Sequence, residues 1–94
     1  MGTYTVRIEL DSNNYPDFEI LHKAMSSSGF SKTIISDEGK EYHLPRAEYN
    51  LSTTYNRAEV LNLAENAVAR TGKGAEILVT ESKARTWSGL KLVK

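Results

Sequence analysis

Ninety-four residues make one domain, with a core that removes roughly 60–65% of the unfolded chain's surface from water and leaves no space for a cleft between domains. Twelve Lys and Arg balance twelve Asp and Glu, which is not the charge of a general nucleic-acid binder, and the absence of cysteine excludes disulfide and thiolate chemistry. No apolar run approaches the ~20 residues of a membrane span and none resembles a secretion signal, so a cytoplasmic protein without membrane contact is expected.

The first element is a strand. From Thr3 to Leu10, Tyr4, Val6, Ile8 and Leu10 alternate with Thr3, Thr5, Arg7 and Glu9, the period of two of a half-buried strand. Asp11 to Asn14 forms a polar turn. Tyr15 and Pro16 open a helix running to about Ser28, with Phe18, Leu21, Ala24 and Met25 as its apolar stripe and Ile20 at the margin. Gly29 stands where a left-handed cap is expected, with Phe30 folding back on Met25.

Lys32 to Ser36 reads as a short strand, Asp37-Glu38-Gly39 as a hairpin loop, and Glu41 to Leu44 as the return. Pro45 interrupts the ladder, and Ala47 to Ser52 resumes it with Tyr49 and Leu51 inward. Asn56 and Glu59 have the spacing of a capping box. Tyr55 is placed to cover Val60, and the second helix buries Val60, Leu61, Ala64, Ala67 and Val68 before ending at Thr71-Gly72. Ala75 to Ser82 is the last strand.

This order predicts an α+β chain, a ferredoxin-like βαββαβ sandwich over residues 1–82. Its antiparallel four-stranded sheet carries both helices on one face. The other face is left open, with Arg7, Glu9, Glu48 and Leu78 on it. Residues 83–94 form a basic segment. Lys83, Arg85, Lys91 and Lys94 face no acidic residue there, leaving 8 basic and 12 acidic residues in the rest. Leu90 to Val93 reads as an extra C-terminal strand. Laid on a partner's sheet it would give a homodimer, with Trp87 at the crossing; the alternatives are that it folds back on its own sheet or stays disordered.

Few residues have the pattern of a reactive site. His22 and His43 lack a second ligand at metal-binding spacing and read as structural. Gly72-Lys73-Gly74 follows a helix where a phosphate loop would precede one. Glu9 and Asp11, at the end of a central strand, are the candidate catalytic carboxylates. Paired across a dimer, they would hold a Mg²⁺ that activates water for phosphodiester cleavage. The plainer alternative has Glu9 in solvent and Asp11 starting the turn. Arg7 is either a phosphate contact or a partner for Glu9, Glu48 or Glu76. Lys83, Arg85 and Trp87 form the basic-aromatic pattern of single-strand binding, in which Trp87 either stacks on a base or anchors the tail.

The string Thr3-Tyr4-x-Val6, Met25 with Phe30-Ser31, Ile34 or Ile35 before Asp37-Glu38 and Gly39, Leu44-Pro45, Glu59-Val60 with Leu63, and Leu78-Val79-Thr80 resembles the GhoS antitoxin family and its small prophage-borne relatives. The likeness covers about Thr3 to Glu81. It implies a ferredoxin-like fold similar to that of the small CRISPR adaptation protein, RNA as ligand, endoribonuclease activity in a bacterial or prophage regulatory system, and a carboxylate at Glu9. A non-enzymatic module that binds a protein partner is the rival reading, and neutral charge favours it.

Overall fold

The computed structural model describes residues 1–94. Seven elements follow one another: β1 (Gly2–Leu10), α1 (Tyr15–Ser27), β2 (Thr33–Ile35), β3 (Glu41–His43), β4 (Glu48–Thr53), α2 (Arg57–Ala69) and β5 (Ala75–Ser82). The chain is α+β with antiparallel sheets. No helix is long and apolar enough to cross a membrane.

β1 lies at the centre. It pairs antiparallel with β4, from Gly2 opposite Thr53 to Arg7 opposite Glu48, and with β5, from Thr3 opposite Ser82 to Leu10 opposite Ala75. The predicted alternation places Tyr4, Val6, Ile8 and Leu10 in one cluster with Tyr49 and Leu51 of β4 and the inner faces of both helices. Val6, Met25 and Val60 have no exposed surface, a burial that stabilises by about 1.5–3 kcal/mol per side chain. On the opposite face Arg7, Glu9 and Leu78 remain exposed.

The helix ends follow from local chemistry. α1 closes with Phe30 N–H donating to Met25 O and Gly29 N–H to Ser26 O, the paired bonds of a left-handed cap, and Gly29 takes φ +94°. Asn56 and Glu59 exchange both bonds of the capping box at α2. Two details differ from the pattern. Leu63, not Leu61, packs on the core, and Tyr55 keeps nearly half its surface in water while its carbonyl accepts from the Tyr4 hydroxyl.

The expected four-stranded sheet is corrected to a three-stranded sheet, β4-β1-β5, and a separate two-stranded sheet, β2-β3. Only one bridge, Ser31 with Asn50, joins the hairpin's base to β4. The cause lies at residues 45–48. Pro45 has no N–H for a ladder. Its carbonyl accepts from Glu48 N–H in a turn, and the carbonyls of Pro45, Arg46 and Glu48 converge on the Lys32 ammonium at 2.7–2.8 Å. The turn that Pro45 opens and Lys32 gathers separates Leu44 from Glu48, so the hairpin departs from the sheet.

Within one chain, Leu90 to Val93 follows the fold-back alternative. Leu92 bridges Tyr42, with His43 N–H donating to Lys91 O and Val93 N–H to Glu41 O, so the run borders its own β3. A free edge reached within the same chain is met at a lower entropic cost than one reached by association. Leu92 stays half exposed.

Candidate nucleic-acid interface

After Ser82 the chain turns back and crosses the open face of the three-stranded sheet as a strap, residues 82–87. Arg85 fastens it. Its Nη1 donates to Asn50 Oδ1 at 2.8 Å and to Thr5 Oγ1 at 3.3 Å, reaching β4 and β1 together. Trp87 meets the Tyr42 ring edge-on at 5.5 Å between centroids and anchors the strap's far end on the hairpin. The tryptophan is thus partly spent as an anchor, yet half-buried rather than sealed.

Arg85 is chemically unusual. A guanidinium carries five N–H donors, and here only Nη1 is engaged, with two neutral oxygens. The chain's two ion pairs both belong to Arg7, so Arg85 has no carboxylate partner. Burial lowers its pKa from the ordinary arginine value, and the group remains charged at neutral pH. A half-buried cation with spare donors and no counter-ion is a site for an anion. Lys83, two residues earlier, is exposed and equally unpaired.

Hollows of about 560 and 600 Å³ border the strap. Lys83, Arg85, Trp87 and Tyr42 line the first, along with Asp37 and Glu38 of the hairpin loop. Those two carboxylates repel phosphate at that end. The second runs past Thr5, Arg85 and Trp87 to Glu48. Arg7 lies two residues beyond Thr5 on β1, a step of about 7 Å, and Glu9 one such step further.

Arg7 donates from Nη2 to Glu9 at 2.6 Å and from Nη1 to Glu48 at 3.3 Å, and so resolves to carboxylate pairing in the free protein. These pairs are exposed at Arg7 and Glu9, and surface pairs of this kind contribute little to stability, so a competing phosphate meets a small barrier. Asp11 sits apart. Its backbone N–H donates to Gly74 O, and its side chain shares a shallow hollow of about 410 Å³ with Glu9 and Glu76. No group of three His, Cys, Asp or Glu side chains comes together to hold a metal ion. Within one chain Glu9 is held by Arg7; the expected Mg²⁺ would be shared between the carboxylates of two chains.

One polar cluster escaped the sequence reading. His22 Nδ1 hydrogen-bonds the Tyr49 hydroxyl, and Lys32 Nζ lies 4.5 Å from the centre of the Tyr49 ring. Burial lowers the His22 pKa, with Lys32 and Arg46 adding to the effect; burial also raises that of Tyr49 and brings Lys32 down to about 8. Tyr49 is 1% exposed, so its hydroxyl meets no substrate. The cluster is structural. No periodic signal marks it, because its members lie on α1, the link before β2, and β4.

A family model described as "Endoribonuclease GhoS" matches residues 1–87, a span that includes the sheet, both helices and the strap as far as Trp87. No curated protein matches the chain.

Proposed function

The chain belongs to the GhoS endoribonuclease family, and we propose that it binds and cleaves RNA along the open face of its three-stranded sheet, as a regulator in a bacterial toxin–antitoxin or prophage system. The observation that carries the site is Arg85, a half-buried guanidinium without a counter-ion on the face where Trp87 and Lys83 also gather. The fold reading that goes with it is ferredoxin-like. Element order and the shared helical face support it, with Ser31 marking where a fourth strand would join β4.

RNA phosphates meet Lys83 and Arg85, and a base stacks beside Trp87 where the ring is open. The backbone then runs along β1 to Arg7. A phosphodiester that takes over the Arg7 guanidinium releases Glu9 from its ion pair. The Glu9 carboxylate accepts the proton of the adjacent 2′-hydroxyl. The 2′-oxygen bonds to phosphorus, the P–O5′ bond breaks, and the 5′-oxygen leaves with a proton from water, whose hydroxide takes back the proton held by Glu9. The products are a 2′,3′-cyclic phosphate and a 5′-hydroxyl. Asp11, at the strand's end, is a second carboxylate bordering the hollow beside Glu9. Catalysis is thus an exchange of Arg7 between carboxylate and phosphate, with Glu9 as general base.

Neutral net charge restricts binding to a few phosphates, so the salt dependence is shallow. The Lys83→Gln/Arg85→Gln pair is expected to weaken RNA binding roughly 10–100-fold and to reduce the salt slope by about two phosphates' worth. Fluorescence anisotropy of a labelled single-stranded RNA between about 20 and 200 mM salt reads both. Equal affinity in the double variant, or no binding by the parent protein at the lowest salt, favours the protein-interaction module instead.

A further inference from the structure

Backbone donors and acceptors at sheet edges need partners, and two of the four outer edges in this chain meet one. Ser31 bridges the outer side of β4 and Leu92 borders the outer side of β3, while β2, only three residues long, pairs with β3 alone. The outer edge of β5 is different. It runs for eight residues, Ala75 to Ser82, and its only ladder is to β1 on the inner side. The strap leaves across the sheet's face, toward Thr5 and Asn50, and does not fold over this edge.

Natural edges are blunted by proline, bulges, inward charges or short length. β5 has no proline, and its two acidic residues, Glu76 and Glu81, stand near its ends. At its middle is Leu78, 62% exposed on the open face. A strand of this kind is a template for another strand, and its sequence specifies which one.

We infer that the β5 edge pairs antiparallel with the β5 edge of a second copy, about a two-fold axis through Leu78. Opposed residues in an antiparallel ladder share a face. Centring on Leu78 sets Leu78 against Leu78 on the open face and Ile77 against Val79 on the helix face. Glu76 then meets Thr80 and Glu81 meets Ala75, so no like charges are opposed. Shifting the axis to Val79 sets Ile77 against Glu81, and shifting it to Ile77 sets Leu78 against Glu76; each leaves a large apolar side chain facing a carboxylate, where the Leu78-centred register leaves only the small Ala75. The Leu78-centred register is the self-complementary one, and it joins two three-stranded sheets into one of six. The interface is isologous, as closed dimers require, and it stands whether or not the chain binds RNA.

Sedimentation equilibrium of the full chain up to ~100 µM tests this, with Leu78→Lys, Leu78→Glu and a one-to-one mixture of the two. The parent protein is expected to dimerise. Either variant alone opposes like charges across the axis and loses the apolar contact, weakening association roughly 30-fold. The mixture recovers it by opposing Lys with Glu, a result specific to the register through Leu78. Leu78 is exposed, so both variants keep the parent's circular dichroism and melting profile as monomers. A parent that stays monomeric at ~100 µM overturns the inference, as does a dimer unaffected by either substitution or a mixture no tighter than its components.

Discussion

Glu9→Gln is expected to slow RNA cleavage by roughly 10²–10⁴-fold, the usual contribution of a positioned general base. Glutamine keeps the size of the side chain and a hydrogen-bond acceptor for Arg7, but it cannot take the 2′-hydroxyl proton. Glu9 and Arg7 are both about half exposed, and their ion pair is a surface pair, so the melting temperature should barely move. RNA binding should persist, because Arg7 gains freedom to meet phosphate. Two further readouts separate this chemistry from metal-assisted hydrolysis. Cleavage should continue in excess chelator, and a 2′-deoxy substitution at the scissile position should stop it. A fully active Glu9→Gln variant contradicts the role given to Glu9. Products ending in 3′-hydroxyl and 5′-phosphate would contradict transesterification itself.

Lys32→Met should be the most damaging substitution for stability outside the apolar core, at about 2 kcal/mol, or roughly 8–16 °C in melting temperature. Methionine matches the length of the stem but donates nothing. Pro45 O still accepts from Glu48 N–H, whereas the Arg46 and Glu48 carbonyls lose the ammonium that gathers them. The turn that separates the hairpin from β4 then loses its organising group. A pH signature accompanies the loss. The Lys32 ammonium gives up its proton at about 8 in the folded chain, against about 10.4 in the unfolded one. Between these values the unfolded state binds more protons, so Lys32 makes stability rise with pH across that window; below about 8 both states are charged and the slope vanishes. Denaturant melts of parent and variant from pH 7 to 10 should show the slope only in the parent. Equal stability of the two at pH 7 would mean that water replaces the ammonium without cost.

Much of the fold is legible in the chain because it rests on local rules. The alternation of Tyr4, Val6, Ile8 and Leu10 states which face of β1 is buried, and Asn56 with Glu59 marks the start of α2 through bonds made within four residues. Gly29 and Phe30 end α1 by the same kind of short-range closure. The sheet's division is another matter. Lys32 reads as an ordinary polar residue opening a strand, and nothing in its neighbours announces that its ammonium will collect three carbonyls from residues 45–48. Pro45 warned of an interruption but not of its extent. The candidate site shows the same boundary. Arg7 and Glu9 share a face by period alone, and so their contact follows from the pattern. Arg85 bonding to Thr5 and Asn50 joins positions 80 and 35 residues away, and it depends on the strap's direction after Ser82, which no local signal sets. The same is true of Leu92 beside Tyr42: an apolar run in need of an edge is visible in sequence, but not which edge it takes.

The open sheet face as the RNA surface is the claim on which the functional reading depends, and an amide chemical-shift titration of the full chain with a short single-stranded RNA at low salt tests it most directly. Shifts should concentrate at Thr5, Arg7 and Glu9 of β1, at residues 82–87 and at the Trp87 indole, with α1 and α2 unmoved. Shifts confined to the helices, or none at saturating RNA, would contradict it.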